Sequence, residues 1–308
     1  MSRIHDALKK AAQDRAVQTP SPSAVTADLV DSAAQIHRHI EVPPRTEYSR
    51  PAVTSSGYGE TRFLNYEELI QRCAHPNWSL DARNSVFVGA DSDRIGAERF
   101  RTLRSRLYQI AGAQQLKRLL ITSSIPAEGK TFVAANLAQS IVRQPDRRVL
   151  LIDGDLRASR LHQMLGAPVG PGLSDYLRGE VDEFAIVQNG LEGNLCFIPG
   201  GEQVSNPSEL LLRDRMKHLL DLMTPIFDWI IIDTPPALPV HDASMLAGHC
   251  DGVLFVVRAG TTDSEIAQRV AAEFRDKNLL GVVLNRVDSA DIYNNYYYGY
   301  GGNSDGAV

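Results

Sequence analysis

The chain has 308 residues, enough for one large domain or two ordinary ones, and its 43% hydrophobic content supports a sizeable buried core. A formal net charge of −5 excludes the overall basic character of a nucleic-acid binder, so nucleic acid is not an expected partner. Cys73, Cys196 and Cys250 form neither a metal-type pair nor a disulfide framework, no apolar stretch approaches the ~20 residues that span a bilayer, and no signal-type apolar region follows Met1, so a soluble, cytoplasmic protein is expected, reaching a membrane only through a partner.

Residues 1–15 read as a short helix, with Ser2 as cap and Ile4, Leu8 and Ala11 on one face. A stripe this narrow suits either a docking helix or a frayed terminus. Residues 16–62 carry Pro20, Pro22, Pro43, Pro44 and Pro51 without a sustained apolar period, the composition of a disordered linker. His37 and His39 fall inside it and read as solvated, since no cysteine or carboxylate cluster accompanies them. Apolar groups return in residues 63–92, among them Leu69, Trp78 and Phe87, and predict a short helix and an extended segment packed onto the main domain.

Residues 93–288 are densely patterned. Arg94–Ile110 reads as an arginine-rich amphipathic helix. Strands are then expected near 118–123, 148–152, 195–198, 228–232, 252–257 and 279–284, and helices near 130–143, 158–165, 172–178, 208–222, 242–248 and 264–276. Continuous apolar runs such as Trp229–Ile232 and Val253–Val257 are strands buried on both faces, as in a parallel sheet covered by helices.

Between the first strand and its helix lies Ser124-Ile125-Pro126-Ala127-Glu128-Gly129-Lys130-Thr131. Strand, glycine-containing loop, Lys-Thr and helix is the layout of a phosphate-binding loop, with Ser124 where the first glycine usually stands. Backbone N–H groups of Ser124, Ala127, Glu128, Gly129 and the helix start at Lys130, Thr131 and Phe132, with Pro126 lending shape to the loop, are the expected phosphate cradle. The Lys130 ammonium would lie near the outer phosphates, and the Thr131 hydroxyl would be a hard oxygen ligand for Mg²⁺. Two further strands end in acids, at Asp153-Gly154-Asp155-Leu156-Arg157 and at Asp233-Thr234-Pro235-Pro236. Ligands of parallel α/β sheets sit at these strand ends. Asp233 would hold the metal through water, Asp153 would do the same or accept a proton from an attacking hydroxyl, and Asp155 and Arg157 would position the site. The fold class is therefore α/β, a P-loop NTPase in three layers, α/β/α, with a mostly parallel central sheet.

These three motifs together resemble the Walker A, A′ and B motifs of bacterial tyrosine kinases, the P-loop autokinases of capsule and exopolysaccharide loci. Ala97–Arg104 is similar to that family's Glu-x-x-Arg-x-x-Arg helix, Asn206–Leu211 and Gly281–Asn285 also match it, and Met1–Ala11 is similar to autokinases of exosortase-linked loci. The resemblance implies ATP and Mg²⁺ as cofactors, catalysis by Lys130, Asp153, Asp155 and Asp233, metal binding by Thr131, Asp153 and Asp233, and a base contact from Asn285. It also implies a homo-oligomeric ring through Glu98, Arg101 and Arg104, whose alternative is a solvated helix face. A separate membrane protein of the polysaccharide chain-length type would activate the chain at the inner face of the membrane, and a cognate tyrosine phosphatase would oppose it.

No Lys or Arg follows Arg286, and half of the chain's ten tyrosines, Tyr293, Tyr296, Tyr297, Tyr298 and Tyr300, fall in the tail of residues 289–308. Gly, Asn and acidic neighbours predict a flexible segment. It reads as a stacking surface, a low-complexity end or, by the resemblance, the phosphoryl acceptor in trans. Partitioning-type ATPases share the acidic motifs but carry a second lysine in the loop, where this chain has Ile125. A nucleotide-binding scaffold of a polysaccharide export complex needs nearly the same groups as a kinase and stays open at this level.

Overall fold

A computed structural model describes residues 64–88, 94–190 and 193–287. The short helix expected over 1–15, the linker expected over 16–62 and the tyrosines of the tail lie outside these residues. Seven strands form one sheet in the order β3-β4-β2-β5-β1-β6-β7. They are β1 (Arg118–Ser123), β2 (Val149–Asp153), β3 (Gln188–Asn189), β4 (Leu195–Ile198), β5 (Trp229–Asp233), β6 (Gly252–Arg258) and β7 (Leu279–Asn285). All neighbours are parallel except β3 and β4.

Side chains alternate strictly between two cores. Leu120, Leu150, Ile152, Ile230, Ile232 and Phe255 face one helical layer, and Leu119, Ile121, Leu151, Ile231, Leu254 and Val256 face the other. Ile230, Ile231 and Ile232 are each fully buried, which at about 1.5–3 kcal/mol per isoleucine makes β5 a main source of stability. The second face is covered by α2 (Arg94–Ala113) and α3 (Lys130–Val142), through Phe100, Leu107, Val133, Leu137 and Ile141. The preceding segment, with α1 (Tyr66–Arg72), packs on both cores: Leu69 enters the first, and Trp78 meets Phe197 edge-on in the second.

The remaining helices are α4 (Leu161–Leu165), α5 (Leu173–Arg178), α6 (Pro207–Leu211), α7 (Asp214–Met223), α8 (Asp242–Ala247) and α9 (Ser264–Ala272). Several bounds differ from the sequence reading. The helix expected over 208–222 is two helices, because Arg213 is extended and the buried stripe shifts from Leu210 and Leu211 to Met216, Leu219 and Leu220. The helix expected to reach 276 ends at Ala272 and is followed by a 3₁₀ turn, Arg275–Lys277. Among the described residues, no helix is long and apolar enough to cross a membrane.

Candidate nucleotide and phosphate site

The loop between β1 and α3 is shaped by two left-handed residues, Ala127 at φ 65° and Gly129 at φ 97°. Such turns aim successive N–H groups at one point, a concavity for anions. At Gly129 glycine is obligatory, because a Cβ would overlap the Asn285 amide. Pro126 and Ala127 are exposed at the lip, whereas the Phe132 ring stacks obliquely against Phe100 of α2 and leaves only its backbone to the site.

The loop is held from three sides. Buried Glu128 accepts from Ile125 N at 2.7 Å with one oxygen and from Thr262 Oγ1 at 2.6 Å with the other. Asn285 Nδ2 donates to the Glu128 carbonyl at 2.8 Å. The segment after β5 runs alongside, with Ala237 N donating to Ser123 O at 2.8 Å and Leu238 N to Ser124 O at 3.1 Å. Glu128 is thus a brace of the loop, and Asn285 is engaged with the backbone beneath Gly129.

The acids come together by strand register. Asp153 and Asp233 are direct partners on adjacent β2 and β5, and their alternation places them on the α3 face, the one shared by Leu151 and Ile231. Lys130 Nζ lies 3.1 Å from Asp155 Oδ2 and 4.0 Å from Asp233 Oδ2. Burial alone would lower the pKa of this lysine, but the charges of Asp233 and Asp155 prevail and hold it above the usual value. Burial pushes the Asp233 carboxyl up to about 7, with Asp153 adding to the rise and Lys130 and Thr131 opposing it. Burial also raises Asp153, against the donors that surround it. Its Oδ2 accepts from Ser159 Oγ at 2.7 Å, Leu161 N at 3.0 Å and Arg160 N at 3.1 Å, so that oxygen is committed to the turn entering α4. Oδ1 has one long bond, from Asp155 N at 3.2 Å, and is the oxygen with capacity left.

Asp233 Oδ1 and Ser124 Oγ are buried without a hydrogen-bond partner. Orphaned acceptors of this kind beside a phosphate-type loop fit an incoming cation and anion. Asp153, Asp155 and Asp233 do not converge as a chelate, since no group of three metal-ligating acids, histidines or cysteines occurs among the described residues. Thr131 and Asp233 would offer a hard ion two oxygens, leaving the rest to water and phosphate, which is the preference of Mg²⁺.

Arg157 is turned elsewhere. Its guanidinium forks onto buried Asp242 at 2.7 and 3.2 Å and reaches Ser208 Oγ at 2.8 Å, tying the β2 turn to α6 and α8. On α2, Glu98 and Arg101 are exposed and pair with each other at 2.9 Å, but Arg104 reaches back to the Ser140 carbonyl of α3. Sequence reasoning assigns no role to Thr262, Ser159 or Asp242, and reaches Ser208 only within the Asn206–Leu211 match. Only Asp242, an acid at a helix start, carries a local signal there, and it points to capping.

The CobQ/CobB/MinD/ParA nucleotide binding domain family matches residues 119–300. Tyrosine-protein kinase etk of Escherichia coli strain K12 is 36% identical over 210 residues, covering 67% of this chain and 28% of the relative. Putative tyrosine-protein kinase AmsA of Erwinia amylovora is 37% identical over 283 residues, covering 89% of this chain and 38% of the relative. The solved kinase domain of Escherichia coli tyrosine kinase ETK superposes with a TM-score of 0.59 at 33% identity, covering 65% of this chain and 79% of that domain. The chain belongs to the CobQ/CobB/MinD/ParA nucleotide-binding family, on its bacterial tyrosine-kinase branch. It spans about a third of the length of the curated relatives it matches.

Proposed function

We propose that this chain is an ATP-dependent protein-tyrosine autokinase that phosphorylates its tyrosine-rich tail in trans and thereby regulates exopolysaccharide polymerisation and export. The observation that carries the chemistry is Lys130 held 3.1 Å from Asp155 and 4.0 Å from Asp233 at the mouth of the loop. A lysine so placed keeps its charge and can leave Asp155 for the outer phosphates of ATP. The loop amides between Ser124 and Thr131 orient those phosphates, which is most of what phosphoryl transfer asks of a protein. Thr131 and Asp233 would hold Mg²⁺, whose chemistry there would be positive charge set against the charge that develops on the phosphates. Asp153, through Oδ1, is the candidate to orient the tyrosine hydroxyl or take its proton, and burial, by raising its pKa above the usual carboxylate value, makes it the stronger base. A phenol with pKa near 10 needs that help.

In this reading Asn285 gives up its bond to Glu128 O for a contact with the nucleotide base. Tyr293, Tyr296, Tyr297, Tyr298 and Tyr300 are the acceptors in this reading, and Glu98 and Arg101 are free to meet another copy in a ring. On the same reading a separate membrane protein of the polysaccharide chain-length type recruits and activates the chain at the inner face of the membrane. Purified chain incubated with Mg-ATP is expected to gain anti-phosphotyrosine signal, and Lys130→Met to lose it. Undiminished signal in Lys130→Met would remove the phosphate-loop assignment.

A further inference from the structure

A cavity of about 680 Å³ opens beside the turn that follows β2, within the roughly 300–1,000 Å³ of small-molecule sites. Leu156, Val169, Pro171 and Val181 give it apolar walls. Ser159 and Gly200 separate it from Asp153: the serine hydroxyl bonds the carboxylate at 2.7 Å, and a Cβ at Gly200 would stand 3.8 Å from the Asp153 carboxyl carbon. Asp175, Glu180 and Glu202 stand at its rim against one guanidinium, Arg178, at 2.6, 2.8 and 3.8 Å. Arg157 also lines the cavity, but its charge is met by Asp242. The rim is therefore net negative.

The cavity lies at the carboxyl ends of β2 and β4, and β2 is two strands from β1, roughly 10 Å from the phosphate loop. That distance is about three residues of extended chain, at ~3.4 Å each. Tyr293 and Tyr296 are three apart, as are Tyr297 and Tyr300, and residues 292–302 contain no charged side chain.

We propose that this cavity holds one unmodified tyrosine ring of the Tyr293–Tyr300 segment of a second copy while another tyrosine of that segment stands at the phosphate loop; the proposal rests on the kinase reading. The chain's own tail leaves from β7, on the opposite side of β1 from β2 and β4, and would have to cross the mouth of the loop to arrive. A second copy's tail has no such path imposed on it. Phosphorylation adds about −1.5 to −2 charges to a ring, so the acidic rim admits an unmodified tyrosine and repels a modified one. The cavity would thus set the register of the segment and release it after modification.

The test titrates fluorescein-labelled peptides of residues 290–302, unmodified or phosphorylated on all five tyrosines, into the full chain, read by anisotropy. Val169→Trp, which fills the cavity from its mouth, and Val169→Asp, which adds charge there, are each expected to weaken the unmodified peptide at least about fivefold. The phosphorylated peptide is expected to bind about tenfold more weakly than the unmodified one, with Glu180→Gln/Glu202→Gln narrowing that gap. Unchanged binding in both Val169 variants, or a phosphopeptide that binds wild type as tightly, overturns the proposal. Anti-phosphotyrosine labelling with Mg-ATP separates it from the reading beneath: Val169-dependent binding without labelling overturns the kinase and keeps the peptide site, and labelling with Val169-independent binding overturns the cavity alone.

Discussion

Glu128 is a buried carboxylate inside a loop that must receive a polyanion, and its fold role accounts for the apparent conflict. Both oxygens are spent on donors, Ile125 N and Thr262 Oγ1, so the carboxylate holds the loop open before any phosphate arrives. Glu128→Ala would leave Ile125 N without this partner and is expected to raise the KM for ATP about tenfold, with a smaller change in kcat, consistent with an unmade hydrogen bond of about 1–3 kcal/mol. Glu128→Gln keeps an acceptor for Ile125, and the Thr262 hydroxyl can turn to accept from the new amide, so most of the loss should be restored. Equal KM in all three proteins would remove Glu128 from the positioning of the loop. Asp233 works the other way. Its pKa is about 7 when folded and 3.8 as an ordinary aspartate, so the folded chain binds the extra proton and its contribution to stability is full below pH 4 and lost as pH rises through 7. Asp233→Asn removes that loss. Its stability to urea unfolding should exceed that of wild type at pH 8, by on the order of a few kcal/mol less what Lys130 forfeits, and the gap should close toward pH 4. A gap independent of pH would show that Asp233 is ionised throughout.

Helix α2 shows how one stretch of alternating charge separates into two roles. Its buried stripe, Ala97, Phe100 and Leu107, fixes which arginines face in, and Arg104 falls beside that stripe against the end of α3. Glu98 and Arg101 fall outside it, at 67% and 52% side-chain exposure, where an ion pair contributes about 0–1 kcal/mol. Arg104→Ala is therefore expected to cost about 1–3 kcal/mol in urea unfolding. Glu98→Ala with Arg101→Ala should leave the unfolding midpoint nearly unchanged and lower the mass seen by light scattering. A double variant that unfolds early would mean that these residues serve the monomer, and an unchanged mass would return them to a solvated face. The break between α6 and α7 is of the same kind: helical periodicity is visible on both sides of Leu212, but the one-residue phase shift that ends the first helix shows only when the core is known.

At the scale of the molecule, what the sequence discloses follows from what is periodic. Five of the strands run largely apolar because both faces are covered, and each stands out, whereas β3 is a polar pair, Gln188–Asn189, placed by β4 on one side and a bridge to Ala74 on the other. The site divides in the same way. Lys130, Asp153, Asp155 and Asp233 are legible because they sit at the ends of strong strands, but the partners of Glu128, Arg157 and Asn285 lie 134, 85 and 157 residues away and leave no local trace. The tail bears on the last prediction. Among the described residues, the seven strands, both cores and the bonds that brace the phosphate loop are in place by Asn285, at the end of β7, the last of these braces. Removing residues 292–302 should therefore leave the thermal midpoint and the affinity for a fluorescent ATP analogue unchanged. Self-labelling should fall steeply in the same protein, because five of the ten tyrosines go with the deletion while buried Tyr66 and Tyr176 and half-buried Tyr108 stay within the fold, which leaves Tyr48 and Tyr58 as the other acceptors to check. Mass spectrometry after incubation with Mg-ATP decides the matter: phosphate on other tyrosines at undiminished yield would take the acceptor role away from the tail, and loss of nucleotide affinity would mean that the tail belongs to the site itself.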